Sequence, residues 1–322
     1  MLVFGSGMRR MIGTGAAAVL AAGVLSVFSA TEASAAPVCP GAGQAPVLVG
    51  SVPGAALEGV TVDPAGRLYT TDLLSGRIFR IDAPGAPAIP VATVPPGNSA
   101  GALAWLPDGS LIVGYSSPAV LIGDATRPAS IARVDLRTGG VAPFASGLSA
   151  ANGLAVAKDG SIYATNDFGS LVGRVAPNGA VQPNWASIPS ANGAALTSDG
   201  AYLYVSGTFA NQGVSRIPIA NPGAPERVVT FGGADIIKAA DGLTLDSRNR
   251  PIVPTDISGE ILRVDGPGQT CSLASGLPVS SVVTYGRGTG GFSNGRLFRA
   301  GFDGNIYEIP GGFDPNARTA AP

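Results

Sequence analysis

Histidine is absent from all 322 residues of the chain. Its absence excludes a Ser-His-Asp triad, a Cys-His dyad, a histidine general base and the usual zinc sites, so any proton transfer falls to carboxylates or to a metal. Charge is scarce too: Asp, Glu, Lys and Arg make up 13% of the residues, and 20 Lys+Arg against 21 Asp+Glu give a formal net charge of -1. No basic run follows the N-terminus, so the electrostatic footprint of nucleic-acid binding is missing and no nucleic-acid partner is expected.

Long apolar runs are confined to the start. Arg9 and Arg10 form a basic region, residues 12–28 an apolar one, and Ala33-Ser34-Ala35 fits the small-residue rule for signal cleavage. Residues 1–35 therefore read as a secretory signal cut after Ala35, with an uncleaved membrane anchor as the alternative. The product is expected to be a secreted protein with no membrane attachment. Losing Arg9, Arg10 and Glu32 leaves 18 basic and 20 acidic residues, a net charge of -2. Cysteine is nearly absent: only Cys39, in an N-terminal segment over 36–44, and the distant Cys271. In an exported chain that pair suggests one disulfide stapling the N-terminus to a late repeat, with two unpaired thiols as the alternative. Ala36-Pro37-Val38 before Cys39 is not a leucine-led lipobox.

What the chain has in plenty is turn residues, 47 glycines and 27 prolines, and they fall in a repeat. Hairpin turns stand at 64–66, 107–109, 158–160, 198–200, 247–250 and 293–295, and all but the fifth end in glycine. Each is followed by a strand rich in β-branched and aromatic residues (RLYTTD, SLIVGY, SIYATN, YLYVSG, PIVPTD, RLFRAG) and then by a third strand. An arginine recurs in the third strand as Arg80, Arg133, Arg174, Arg216 and Arg263, which suggests pairing with a neighbouring unit. Unit starts near Glu58, Gly101, Asn152, Asn192, Asp241 and Val282 lie 40 to 51 residues apart, the length of a propeller blade. The expected fold is all-β: a six-bladed β-propeller of four-stranded antiparallel blades over 45–310, without helices, followed by a polar tail over 311–322. The sixth unit lacks a fourth strand. Residues 46–52, PVLVGSV, are expected to fill its place and close the ring.

Four units begin with a polar residue before glycine: Glu58 in ALEGVTVD, Asn152 in AANGLAVA, Asn192 in SANGAALT and Asp241 in AADGLTLD. Asn-Gly and Asp-Gly are also common turn dipeptides. Four in register, missing from the second and sixth units, point instead to side chains converging on the axis. The returning strands would bring Asp72, Asn166 and Asp256 to the same end, as an outer rim. Carboxylate and carboxamide oxygens suit one divalent cation, calcium first, with magnesium or manganese possible and zinc less favoured.

With these heads the chain resembles the regucalcin/gluconolactonase (SMP-30/LRE-like) family of six-bladed propellers over residues 45–310. The resemblance implies Glu58, Asn152, Asn192 and Asp241 as ligands of one divalent cation, Asp241 as acid/base, and hydrolysis of a small lactone or ester; a monomer is expected. Sugar-lactone members carry an arginine shortly before the third-blade asparagine, where this chain has Ser149-Ala150-Ala151. Two alternatives stand beside the lactonase: a non-catalytic secreted binding module, and a metal-free enzyme resembling strictosidine synthase that works with Glu58 alone. The second-unit insertion between Tyr115 and Ser130, with Asp124 and Arg127, reads as a lid or an ordinary surface loop. Trp105 and Trp185 are expected to pack.

Overall fold

A computed structural model describes residues 35–319. The basic and apolar parts of the expected leader, up to Ser34, and residues 320–322 lie outside the described residues. The described residues form 24 strands arranged as six antiparallel sheets of four. Blade one comprises Leu57–Val62, Leu68–Asp72, Arg77–Ile81 and Ile89–Thr93. The inner strands of blades two to six are Ser99–Trp105, Leu154–Val156, Ala191–Leu196, Thr244–Leu245 and Ser280–Tyr285. Val47–Ser51 is the outer strand of blade six, paired with Asn305–Glu308, so the N-terminal strand closes the ring as the repeat predicted.

Blades pack face to face, and for that reason the inner strand LEGVTV is buried along its whole length rather than on alternate residues. Leu57, Leu68 and Phe79 of blade one pack against Phe298, Ala300 and Ile306 of blade six. Trp105 stands edge-on to Tyr69 at 5.7 Å and Trp185 lies 4.6 Å from Tyr163, both packing between neighbouring blades. The hairpin turns need a left-handed residue: Gly66 supplies it at φ 79°, and in the fifth turn, which lacks glycine, Asn249 takes φ 59°.

Three features differ from the reading of the sequence. The recurring arginines pair within their own blades: Arg80 with Asp82, Arg133 with Asp108, Arg174 with Ser161, Arg216 with Glu226 and Arg263 with Asp265. Each lies across from a strand-two residue of the same sheet, as Arg80 does from Tyr69, so its acceptor is closer at home than next door. Short 3-10 helices occupy Pro118–Ala125, Gly233–Ile237 and Pro310–Gly312; among the described residues no helix is long and apolar enough to cross a membrane. The tail is docked along residues 311–319. Ala317 is buried with Leu273, Tyr285 and Leu297, and the Thr319 amide donates to the Gly286 carbonyl at 2.9 Å. Cys39 and Cys271 form a disulfide, Cα–Cα 4.9 Å, that fastens the N-terminal segment to the outer strand of blade five.

Candidate metal centre at the head of the channel

Backbone irregularity marks the start of several inner strands and falls on a head residue at Glu58 and Asn192, whereas Asn152 and Asp241 precede their inner strands. Inner strands of blades one, two, four and six break register at their start, between Leu57 and Val60, Ala100 and Leu103, Ala191 and Ala194, and Ser280 and Val282. Such bulges release a residue from the ladder and turn its side chain. The glycine after each head serves close approach, not a turn. A Cβ on Gly59 would stand 2.5 Å from the Gly101 carbonyl oxygen, and one on Gly153 2.3 Å from that of Asn192. A hydroxyl relay ties consecutive heads together. The Gly59 amide donates to Thr71 Oγ1 (2.7 Å), which donates to the Gly101 carbonyl (2.8 Å). Gly153 and Thr165 repeat the pattern onto Asn192, and Gly193 and Ser206 onto Asp241.

Glu58, Asn152 and Asn192 line one end of a central cavity of about 990 Å³ that runs to the turns at Asp159, Asp199 and Asn249. Glu58 is buried, its Oε2 accepting from Ser281 Oγ at 2.6 Å. Burial pushes its carboxyl up to about 7, against the pull of hydrogen bonds from Ser281 and Asn152. Burial and then the charge of Glu58 push Asp167 up to about 7 as well, and Asn152 also hydrogen-bonds to it. Asp241 is held well above the usual carboxylate range, first by burial, then by the charges of Asp256, Glu58 and Asp167. Asp256 is raised by burial and Glu58, while its hydrogen bond with Asp241 and the charge of Arg299 act the other way. Four carboxylates thus press on one another in a poorly hydrated place.

Asn192 Oδ1, Asp241 Oδ1 and Asp256 Oδ1 are buried without a hydrogen-bond partner. Leaving such acceptors bare costs about 1–3 kcal/mol each. Among the described residues no three His, Cys, Asp or Glu side chains stand grouped as a ready-made metal cage. Two of the four heads are amides, and the orphaned oxygens and surplus negative charge form a donor set that fits a hard cation.

The rim residues divide. Asp256 joins the cluster. Asp72 accepts from the Ala56 and Leu74 amides (2.9 and 3.2 Å) and from Ser75, closing its own loop. Asn166 donates to Ser149 and Asp124 and accepts from the Phe168 amide at 3.0 Å. Asp124, in the blade-two insertion, also accepts from Ser149 Oγ and the Ser170 amide, both at 2.7 Å, so it clasps the insertion to blade three.

Asp167 was not singled out from the sequence, and the spacing explains why. The turn of blade three closes at Ser161 and that of blade five at Arg250, through amide bonds from Ala157 and Asp246. Counted from there, Asp167 and Asp256 hold the same position, six residues on; Asn166 and Asp72 hold the one before it. Matching the strings SIYATN and PIVPTD by composition slips this register by one residue, and one residue decides which side chain faces the axis.

Among curated proteins, none matches the chain in sequence. Solved structures do. A calcium-binding protein, regucalcin, from Agrobacterium tumefaciens is 17% identical with a TM-score of 0.66, over 86% of this chain and 96% of its own. A gluconolactonase from Xanthomonas campestris is 19% identical with a TM-score of 0.64, over 88% and 99%. A luciferin-regenerating enzyme is 14% identical with a TM-score of 0.65, over 86% and 98%. At such identities the likeness shows the fold. The sequence model of the SMP-30/gluconolactonase/LRE-like region matches residues 56–288, from the first head residue into blade six. By this match, over more than half its length, the chain belongs to the SMP-30/gluconolactonase/LRE-like family.

Proposed function

We propose that the protein is an exported hydrolase of small lactones or esters that works with one divalent cation held by Glu58, Asn152, Asn192 and Asp241. Calcium fits this set best; magnesium, manganese and zinc are the alternatives to test. The observation that carries the reading is the pair of orphaned oxygens on Asn192 and Asp241 beside the buried Glu58 carboxylate. A divalent cation in such a site polarises a substrate carbonyl and steadies the oxyanion that develops on it.

The chain's own groups do the rest. An exposed aspartate, with a pKa of ~4, is a weak base at neutral pH. Asp241, buried among Glu58, Asp167 and Asp256, is the group assigned to take a proton from an attacking water and return it to the leaving oxygen. Asn152 lies against both Glu58 and Asp167 and favours the ionised form of each. Export accords with the Cys39–Cys271 disulfide, a bond that persists in oxidising surroundings.

The test is a panel of lactones and aryl esters offered to the disulfide-formed protein before chelation, after it, and after each cation is returned. Turnover lost on chelation, restored by one cation and missing in Asp241→Ala is expected. Turnover that survives complete chelation, or that is undiminished in Asp241→Ala, contradicts the proposal.

A further inference from the structure

The loops around the acidic end repeat a second pattern. The position after Asp167 is Phe168, the one after Asp256 is Ile257, and counting from the hairpin turns puts Leu74 and Phe209 in the same place in blades one and four. These four side chains are 61% (Leu74), 40% (Phe168), 61% (Phe209) and 52% (Ile257) exposed. Scattered exposed apolar residues are ordinary, but four at one register position at the head end of the ring form a patch. Leu121 and Ile122 of the blade-two insertion and Ile236 before blade five are also exposed and extend it. Phe168 and Phe209 stack at 5.4 Å.

The patch is held in place. Ser190 Oγ donates to the Asp167 carbonyl and accepts from the Phe209 amide, both at 2.8 Å. The Asp256 and Ile257 amides donate to the Ala239 and Lys238 carbonyls. Charges on these same loops turn inward: Asp124 into its clasp, Lys238 onto Glu260, Asp303 onto Arg299.

We infer that the site's substrate carries an apolar group, an alkyl chain or aryl ring several carbons long, which lies against Phe168, Phe209 and Ile257 while its carbonyl enters among the carboxylates. This rests on the hydrolase reading above. A polyhydroxylated sugar lactone would cover these faces with hydroxyls that find no apolar partner, whereas an alkyl chain removes them from water at about 25 cal/mol per Å².

The test compares γ-dodecalactone, γ-butyrolactone and glucono-δ-lactone with the cation-loaded enzyme. Binding of 2-octyltetrahydrofuran, which keeps ring and chain but has no ester, is measured alongside by calorimetry. Expected are a kcat/KM at least ~10-fold higher for the long lactone than for the short one, as a chain burying even a few methylenes requires, binding of the ether, and loss of both in Phe168→Ala/Phe209→Ala. Ether binding that depends on the two phenylalanines without turnover of any lactone keeps the apolar site and removes the hydrolase. Glucono-δ-lactone turned over as well as dodecalactone, with no ether binding, overturns the inference and keeps the hydrolase. Capture of the wild type, but not the double variant, by phosphatidylcholine vesicles without ether binding overturns it in favour of a membrane surface.

An independent observation concerns Ala36. Its nitrogen donates to Glu260 Oε1 at 3.1 Å, and its side chain packs on the apolar cluster between blades four and five. Glu260 is buried and shares Lys238 with Asp235, whose Oδ1 lies 3.7 Å from the ammonium, so among the described residues two carboxylates face this ammonium. We propose that cleavage after Ala35 creates an α-ammonium that supplies the missing positive charge and fastens the new N-terminus to blade five, next to the disulfide. The exported protein should begin at Ala36 by mass spectrometry and melt several degrees above the same chain acetylated at Ala36, which keeps an N–H but loses the charge. A different N-terminus, or equal midpoints, overturns this.

Discussion

Aspartates occupy both ends of the channel, and they are treated in opposite ways. At the turn end each has partners: Asp63 takes Arg67 and two backbone amides, Asp108 takes Arg133, Asp199 takes Thr197, and Asp246 takes Arg250. Hydrogen bonds from Arg133 hold Asp108 down at about 2. At the head end Asp167, Asp241 and Asp256 are buried, repel one another and Glu58, and are raised. One residue type thus serves turn closure in blades one to five at one end and, in blades three and five, accumulates mutually repelling carboxyls at the other. Charge that folding leaves unpaired at such cost points to a partner from outside the chain.

The contrast can be broken most severely at Asp241. Asp241→Ala is expected to lower kcat/KM by at least ~100-fold, the scale of losing a positioned acid/base, and to remove cation binding, both measurable on one preparation. The next effect is on pH dependence after chelation. Raised carboxyls stabilise the fold fully below their unfolded pKa, and that contribution is lost as pH rises through the folded value. The midpoint of chelated protein should therefore fall between pH ~4 and about 7, where Glu58 and Asp167 titrate. The depressed Asp108 acts with the opposite sign, its contribution being lost only as pH drops toward about 2. A saturating cation should flatten the neutral slope and leave the acid one; an unchanged neutral slope would count against the site.

Smaller effects sharpen the comparison. Asn166→Ala opens a buried clasp and should cost about 1–3 kcal/mol in denaturant melts without weakening cation affinity. Weakened affinity there would return Asn166 to the site. Asp108→Ala, at the satisfied end, should cost less than about 1 kcal/mol and leave turnover alone.

The fold was legible because a propeller is a short pattern written six times: turn glycines, strand-two aromatics and an unused first strand each agreed with the rest. The heads were legible for the same reason. The glycine after each was ambiguous in sequence, a turn former or a spacer, and only the approach of Gly59 to Gly101 and of Gly153 to Asn192 shows that it is a spacer. Asp167 was hidden by a one-residue offset, since Thr165-Asn166 and Thr255-Asp256 look equivalent while the turns before them place Asp256 beside Asp167. The arginines misled because a register position names the strand, not the partner. Tuning of Asp241 could not be read at all: it arises from burial and from charges contributed by blades one, three and five.

The most direct measurement is a pair of thermal melts after complete chelation, on the wild type and on Asp241→Asn, with calcium, magnesium, manganese and zinc returned separately. The account predicts that Asp241→Asn melts higher than the wild type without cation, because folding no longer has to desolvate or protonate this carboxyl. One cation should then raise only the wild type, by roughly 2.7 kcal/mol at ~100 times Kd. A wild type that no cation stabilises, or an Asp241→Asn variant that melts lower when chelated and responds to the cation like the wild type, would contradict it.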